Sequence, residues 1–152
     1  MKMKVNWITG IVGAVIGVVI GVAAWVGIYQ LGYIAGIAGF IMLICSIKGF
    51  ELLGGGLNIP AIIVCIILDL GAVYFAHNIA IAVSIMQEMD GYSFTSAYKY
   101  IPYLLEYSQF AEAYYKDLLM GYGLTLIAII PSIINYIKGN RKKVEDNNTL
   151  YS

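Results

Sequence analysis

The chain has 152 residues with a formal net charge of zero at pH 7, and only 12% of its residues are charged. Ordinary soluble domains are about one-quarter charged, whereas this sequence is 61% hydrophobic with a mean hydropathy of +0.81. The apolar residues stand in long blocks rather than at the spacing of a soluble core, which excludes an ordinary soluble domain.

Four nearly uncharged blocks are each long enough to cross a bilayer, since about 20 helical residues span the hydrocarbon. The sequence therefore predicts an all-α polytopic membrane protein with four transmembrane helices in one domain, residues 1–137. The helices are predicted at about residues 7–30, 32–50, 60–87 and 117–138. The first block is too long for the apolar part of a cleaved signal peptide, so it is expected to remain as a helix.

Glycine recurs at intervals of three and four residues in the first two predicted helices. These positions are Gly10, Gly13, Gly17, Gly21, Gly32, Gly36 and Gly39. Lipid provides no hydrophobic drive between helices, so their association depends on close backbone approach, which glycine permits. The stripe predicts tight packing of the first two helices within one chain, and a homo-oligomer interface is the alternative.

The loop after the second predicted helix reads "SIKGFELLGGGLNIP". Lys48 and Glu51 stand three residues apart, so they can pair on one helical face at the cytoplasmic mouth of the bundle. The run Gly54–Gly56 lacks the Lys-Ser or Lys-Thr and the preceding strand of a phosphate-binding loop. A flexible turn is expected there.

The third predicted helix carries Asp69 and His77 within an almost wholly aliphatic stretch, residues 61–83. An aspartate at the centre of a transmembrane helix costs about 2.5–3.5 kcal/mol on insertion, which the many surrounding aliphatic residues offset. At 1.5 Å per residue, His77 lies about 12 Å further along the helix, so the two side chains cannot touch. They share a broad polar face with Ser84.

Neighbouring helices are expected to complete this polar stripe, with Thr125 near the depth of Asp69 and Tyr122 near that of His77. Three interpretations stay open. Asp69 fixes helix packing by a hydrogen bond; or the stripe lines a wet pathway for a proton, a cation or a small solute; or the chain is an accessory subunit that contacts a partner membrane protein. The hypothesis carried forward is a transport-type or channel-type bundle, and the alternative is a non-transporting structural or regulatory subunit.

Between the third and fourth predicted helices lies an outer segment, residues 88–116, that is rich in tyrosine. The tyrosines are Tyr92, Tyr98, Tyr100, Tyr103, Tyr107, Tyr114 and Tyr115. Ser93 or Thr95 is expected to cap a helix, and Pro102 to separate two short helices. Tyrosine favours the membrane interface, so an extracytoplasmic amphipathic helical segment is predicted, and binding of a sugar or aromatic ligand is the alternative.

The basic residues indicate the orientation, because cytoplasmic loops carry an excess of Lys and Arg. Seven of the nine lie at the two termini or in the second loop, and only Lys99 and Lys116 do not. Both termini are therefore predicted to be cytoplasmic. The tail, residues 138–152, is predicted to be a basic patch against lipid headgroups followed by disordered residues, and nucleic-acid binding is not expected.

An enzyme is the function class that the sequence favours least. The single histidine cannot build the usual multi-ligand zinc site, and no nucleophile–base set with plausible geometry is evident. Cys45 and Cys65 are not in a metal or redox pattern and are expected to be free, buried thiols. We therefore expect no catalytic residue, no metal and no cofactor.

Several stretches together resemble a family of small, uncharacterised bacterial integral membrane proteins. These are the glycine-striped first helix ending at Trp25, the loop "KGFELLGGG", the outer "AYKYIPYLLE" and the opening of the last helix, "KDLLMGYGLTLIA". The resemblance implies four helices and a bacterial cytoplasmic membrane, and it supplies no catalytic residue. The expected partners are the lipid bilayer, a second copy of the chain through the glycine stripe, or another membrane protein.

Overall fold

The computed structural model describes residues 4–32 and 36–150 as a bundle of helices. In chain order the helices are α1 (Trp7–Gln30), α2 (Gly36–Gly54), α3 (Ile59–Glu88), α4 (Phe94–Leu104) and α5 (Ser108–Leu150). All of them except α4 are long and apolar enough to cross a membrane. The prediction of helical structure is confirmed for the described residues, and four of the helices have the length and apolar composition needed to span a membrane.

Short polar side chains cap the N-termini of three of the helices. The side chain of Asn6 accepts hydrogen bonds from the backbone at the start of α1. Asn58 does the same for Ala61 of α3 at 2.8 Å, with Pro60 in the first turn, where a missing N–H is harmless. Ser93 caps α4, which satisfies backbone donors that would otherwise have no partner at a helix start.

α1 and α2 pack backbone against backbone through glycine. A side-chain carbon on Gly13 would overlap the Gly49 carbonyl, and one on Gly17 would overlap the Cys45 carbonyl. Gly10 lies against the ring of Phe50, and a carbon on Gly21 would stand 2.6 Å from Cα of Met42. The four glycines of the first predicted helix thus all lie in the contact between α1 and α2.

The glycines of the second predicted helix have separate positions. Gly32 lies in the turn after α1 with a φ of 76°, and a side-chain carbon there would meet open space, so it is a turn residue rather than a packing residue. Gly36 is the first residue of α2. Gly39 faces Thr125 of α5.

Several helix boundaries differ from those predicted from the sequence. α2 ends at Gly54 rather than at about residue 50, and the prediction that Pro102 separates two short helices is wrong, because Pro102 lies within α4. The outer segment contains α4, with Pro102 inside it, and a short turn, after which α5 begins at Ser108. α5 then continues to Leu150, where a disordered tail was expected. Extending an existing helix costs far less than starting one, and the Lys, Arg and Glu residues beyond Lys138 are good helix formers.

The core runs along the bundle axis in three apolar clusters. One surrounds Trp25 of α1, with Met42 of α2 and Val73 of α3. A second lies near Phe50, where Ala61 of α3 and Ala128 of α5 meet. The third holds α4 and the start of α5 against the last turns of α3. This third cluster marks what we call the α4 end of the bundle, and it places α5 antiparallel to α3.

Candidate polar site in the helix bundle

Asp69 is wholly buried in the bundle, and its partner comes from α2. The hydroxyl of Ser46 donates a hydrogen bond to Oδ2 of Asp69 at 2.6 Å. Ser46 is also wholly buried, and its hydroxyl lies 3.1 Å from the Leu43 carbonyl oxygen. A serine has a single hydroxyl proton, so the two acceptors compete for it. The second oxygen of Asp69, Oδ1, has no hydrogen-bond partner in the described part of the chain.

The thiol of Cys65 completes the surroundings of Ser46. It lies one helical turn before Asp69 on α3, and its Sγ donates to the Ser46 carbonyl at 3.8 Å. Both cysteines are free, as the sequence predicts, with Cys65 buried and Cys45 partly exposed. Asp69, Ser46 and Cys65 therefore form one polar contact between α2 and α3.

His77 is wholly buried between two tyrosine rings. Tyr29 of α1 meets it edge to face with ring centroids 6.0 Å apart, and Tyr114 of α5 lies tilted against it at 4.8 Å. Neither ring nitrogen of His77 has a hydrogen-bond partner among the described residues. The Tyr114 hydroxyl donates instead to the Asn78 side chain at 3.2 Å.

Trp25 lies between these two polar groups along the axis. Its ring fills the space beside Gly121 of α5 and Val73 of α3, and Val73 is one turn from both Asp69 and His77. The indole nitrogen is buried and, within residues 4–32 and 36–150, has no hydrogen-bond partner. Unpartnered polar atoms thus occur at three levels of the same helix bundle.

The other residues of the predicted stripe have partners elsewhere. Thr125 is buried, but its hydroxyl donates to the Gly121 carbonyl of its own helix at 2.8 Å. Tyr122 packs on the cluster around Trp25. Ser84 accepts a hydrogen bond from the Gln30 side chain at 3.3 Å. Within the described part of the chain, Thr125 therefore makes no hydrogen bond to Asp69, and Tyr122 makes none to His77.

Lys48 and Glu51 form the ion pair that their spacing predicts, with Nζ and Oε2 2.9 Å apart. Their side chains are 66% and 43% exposed, and such surface pairs contribute about 0–1 kcal/mol. The pair lies near the end of α2, away from the buried groups. We assign it no binding role.

In the described part of the chain, no group of three or more His, Cys, Asp and Glu residues lies close enough together to hold a metal ion. Asp69 and His77, eight residues apart on one helix, lie about 12 Å from each other along the axis.

Sequence reasoning missed the residues that surround Asp69 and His77. Ser46 had a signal, because it is the one hydroxyl-bearing residue of α2. The sequence indicates Tyr29 and Tyr114 less clearly as neighbours of His77. A tyrosine at a helix end is equally typical of the membrane interface. Their contact with His77 depends on how α1 and α5 are rotated, which the sequence alone does not reveal.

Comparison of the chain with models of protein families, with curated proteins and with solved structures yields no match. The resemblance to small bacterial membrane proteins therefore stays a prediction. Function has to be inferred from the buried polar groups themselves.

Proposed function

We propose that this chain is a small transport-type protein of a bacterial cytoplasmic membrane that moves a proton or a small cation through its helix bundle. Support comes from one observation above the others. Asp69 Oδ1 and both nitrogens of His77 are buried without a partner in the described structure. Each such group costs about 1–3 kcal/mol when it stays unsatisfied, and water or a transported ion would remove that cost.

Both termini lie in the cytoplasm in this proposal. The backbone N–H of Asn6 donates to the Gly54 carbonyl at 2.9 Å, so the start of α1 and the end of α2 share one end of the bundle. The antiparallel α5 leaves the bundle at that same end, with Lys138 and Arg141 beyond it. An excess of basic residues on one side favours the cytoplasm.

Asp69 is the ion-binding group of this proposed pathway. Its Oδ1 is open to a proton or cation, while Ser46 holds Oδ2 through the 2.6 Å hydrogen bond. Ser46 can alternatively donate to the Leu43 carbonyl at 3.1 Å. A proton on Oδ1 would leave the Ser46 hydrogen bond to Oδ2 in place. A proton on Oδ2 would let the carboxyl donate to Ser46 while Ser46 donates to Leu43, so both hydrogen bonds would form at once.

His77 is the second proton-binding group of the proposed pathway, and it lies closer to the α4 end. The separation of about 12 Å along the helix exceeds any hydrogen bond, since these are about 2.7–3.2 Å long. Transfer between the two groups therefore requires bridging water or a rotation of the helices around Trp25. Tyr29 and Tyr114 lie beside His77 and separate it from the α4 end.

Ion flux into liposomes tests the proposal. The purified chain is reconstituted, a potassium gradient with valinomycin sets the potential, and a pH-sensitive dye reports proton entry. We expect Asp69→Asn, which keeps the shape of the side chain but loses its titrating group, to reduce proton flux to that of empty liposomes. His77→Phe is expected to lower it as well.

Glu106→Gln is the matched control, because Glu106 is an exposed carboxylate in the turn between α4 and α5. It is expected to retain the wild-type flux. Wild-type flux in Asp69→Asn would contradict the proposal. So would a wild-type protein that conducts none of protons, sodium or potassium.

The far end of α5 favours a second candidate function, that of an accessory subunit. Residues 137–149 are all exposed, whereas most helical stability in proteins comes from tertiary packing. A partner protein would stabilise this extension. The test is purification in mild detergent: a stoichiometric partner that is lost when residues 141–152 are deleted supports the candidate, and a lone chain in repeated preparations contradicts it.

A further inference from the structure

A groove of about 340 Å³ lies on the bundle surface where α4 crosses the second half of α3. Its walls are almost wholly apolar. They are formed by Phe75 and Ile79 of α3 and by Phe94, Thr95, Tyr98 and Lys99 of α4. Phe75 and Phe94 are 58% and 42% exposed, so the groove opens outward from the bundle.

The length of α3 relates the groove to the thickness of a bilayer. α3 has 30 residues, about 45 Å at 1.5 Å each, and therefore extends beyond a hydrocarbon core of about 30 Å. Counted from Ile59, Phe75 is about 24 Å and Ile79 about 30 Å along the axis. With the hydrocarbon taken to begin at Ile59, its far boundary falls close to Ile79 and therefore at the groove.

Three residues of the groove carry polar groups that can donate hydrogen bonds, namely Thr95, Tyr98 and Lys99. Thr95 and Lys99 are four residues apart on α4, which places them on one face. Within residues 4–32 and 36–150, no carboxylate oxygen lies within 4.0 Å of the Lys99 ammonium, and the ion pair found there joins Lys48 to Glu51. The side chains three and four residues from Lys99 on α4 carry no negative charge either.

We infer that this groove binds one membrane phospholipid with an anionic headgroup. An acyl chain lies against Phe75 and Ile79, and the phosphate accepts hydrogen bonds from the Lys99 ammonium and the Thr95 hydroxyl. The charge complementarity selects the headgroup, while the apolar walls bind any acyl chain. The site is independent of Asp69 and does not rest on the proposed transport function.

Native mass spectrometry of the full chain in detergent tests this site. Phosphatidylglycerol and phosphatidylcholine with identical acyl chains are titrated separately, and the fraction of protein carrying one lipid is measured. We expect phosphatidylglycerol to bind more tightly. Lys99→Gln is expected to weaken its binding about fivefold, the usual effect of one lysine at a membrane surface, and to weaken phosphatidylcholine binding less, because the choline cation offsets the charge of the phosphate that Lys99 contacts.

Lys116→Gln is the matched control, because Lys116 is an exposed lysine of α5 that does not line the groove. It should keep the wild-type preference, as should Lys99→Arg, which retains the charge. Ile79→Trp fills the groove and should weaken binding of both lipids. The inference is overturned if the wild type binds the two lipids equally, if free oleate binds better than either, or if Lys99→Gln behaves like Lys116→Gln.

Discussion

At the scale of single residues, the main feature is a carboxylate whose two oxygens have different surroundings. Ser46 holds one oxygen of Asp69 at 2.6 Å, and the other has no partner in the described structure. A buried polar group is costly unless it is hydrogen-bonded. The Ser46 contact therefore stabilises the fold, while the open oxygen is the atom available for binding.

Ser46→Ala tests whether the hydrogen bond from Ser46 to Asp69 stabilises the fold. The change leaves a buried carboxyl group without any partner from α2, so we expect the free energy of unfolding to fall by about 1–3 kcal/mol. Unfolding in mixed detergent micelles, followed by circular dichroism, measures the loss.

Ser132→Ala serves as the comparison, since the Ser132 hydroxyl donates to the Ala128 carbonyl of its own helix at 3.1 Å. We expect it to cost much less. In an Asp69→Asn background the cost of Ser46→Ala should change, because the two residues are in contact. Additive effects of the two substitutions would show that the hydrogen bond contributes nothing to stability.

At the scale of whole helices, the main feature is the close contact between α1 and α2. Gly13 and Gly49 each leave no room for a side-chain carbon against the other's carbonyl. Backbone contact of this kind is the usual means of helix association where lipid surrounds both helices. It holds α2 in position to present Ser46 to α3.

Gly13→Ala is therefore expected to separate α1 from α2 and to destabilise the bundle. Overpacking of a tight contact costs about 1–3 kcal/mol, and the same unfolding experiment measures it. Gly27→Ala is the control on the same helix, because a side-chain carbon there meets open space. There, replacement of a helical glycine should stabilise by about 0.5–1 kcal/mol. Equal effects at the two positions would contradict the packing described for α1 and α2.

At the scale of the whole molecule, the bundle has two unlike ends. One end carries α4 and the groove beside Lys99. From the other end α5 extends: its 43 residues amount to about 64 Å, twice the hydrocarbon thickness of about 30 Å. The proposed orientation puts the α4 end outside the cell and the α5 extension in the cytoplasm.

Single-cysteine labelling tests that orientation. In a background of Cys45→Ala and Cys65→Ala, we expect Thr95→Cys in intact cells to react with a membrane-impermeant maleimide. Val144→Cys, on the exposed end of α5, should react only after the cells are opened. Labelling of residue 95 from the cytoplasmic side alone would reverse the proposed topology.

Local chemistry in the sequence was enough to predict several features of this protein. Long apolar runs determine the four membrane-length helices, since insertion into lipid depends on composition within one segment. The spacing of Lys48 and Glu51 determines their ion pair, because three residues on a helix bring two side chains to one face.

Other features were decided only by the tertiary structure. The partner of Asp69 depends on the depth and rotation of α2, which its glycine contacts with α1 set, and Thr125 at a similar predicted depth bonds its own helix instead. His77 could have met Tyr122, yet it lies between Tyr29 and Tyr114. A sequence shows which polar groups lie in apolar helices. It does not show how each helix is rotated about its axis, because many rotations bury a similar apolar area between two helices. The close contacts at Gly13, Gly17 and Gly21 select one rotation, and that selection determines which buried groups have partners and which stay open.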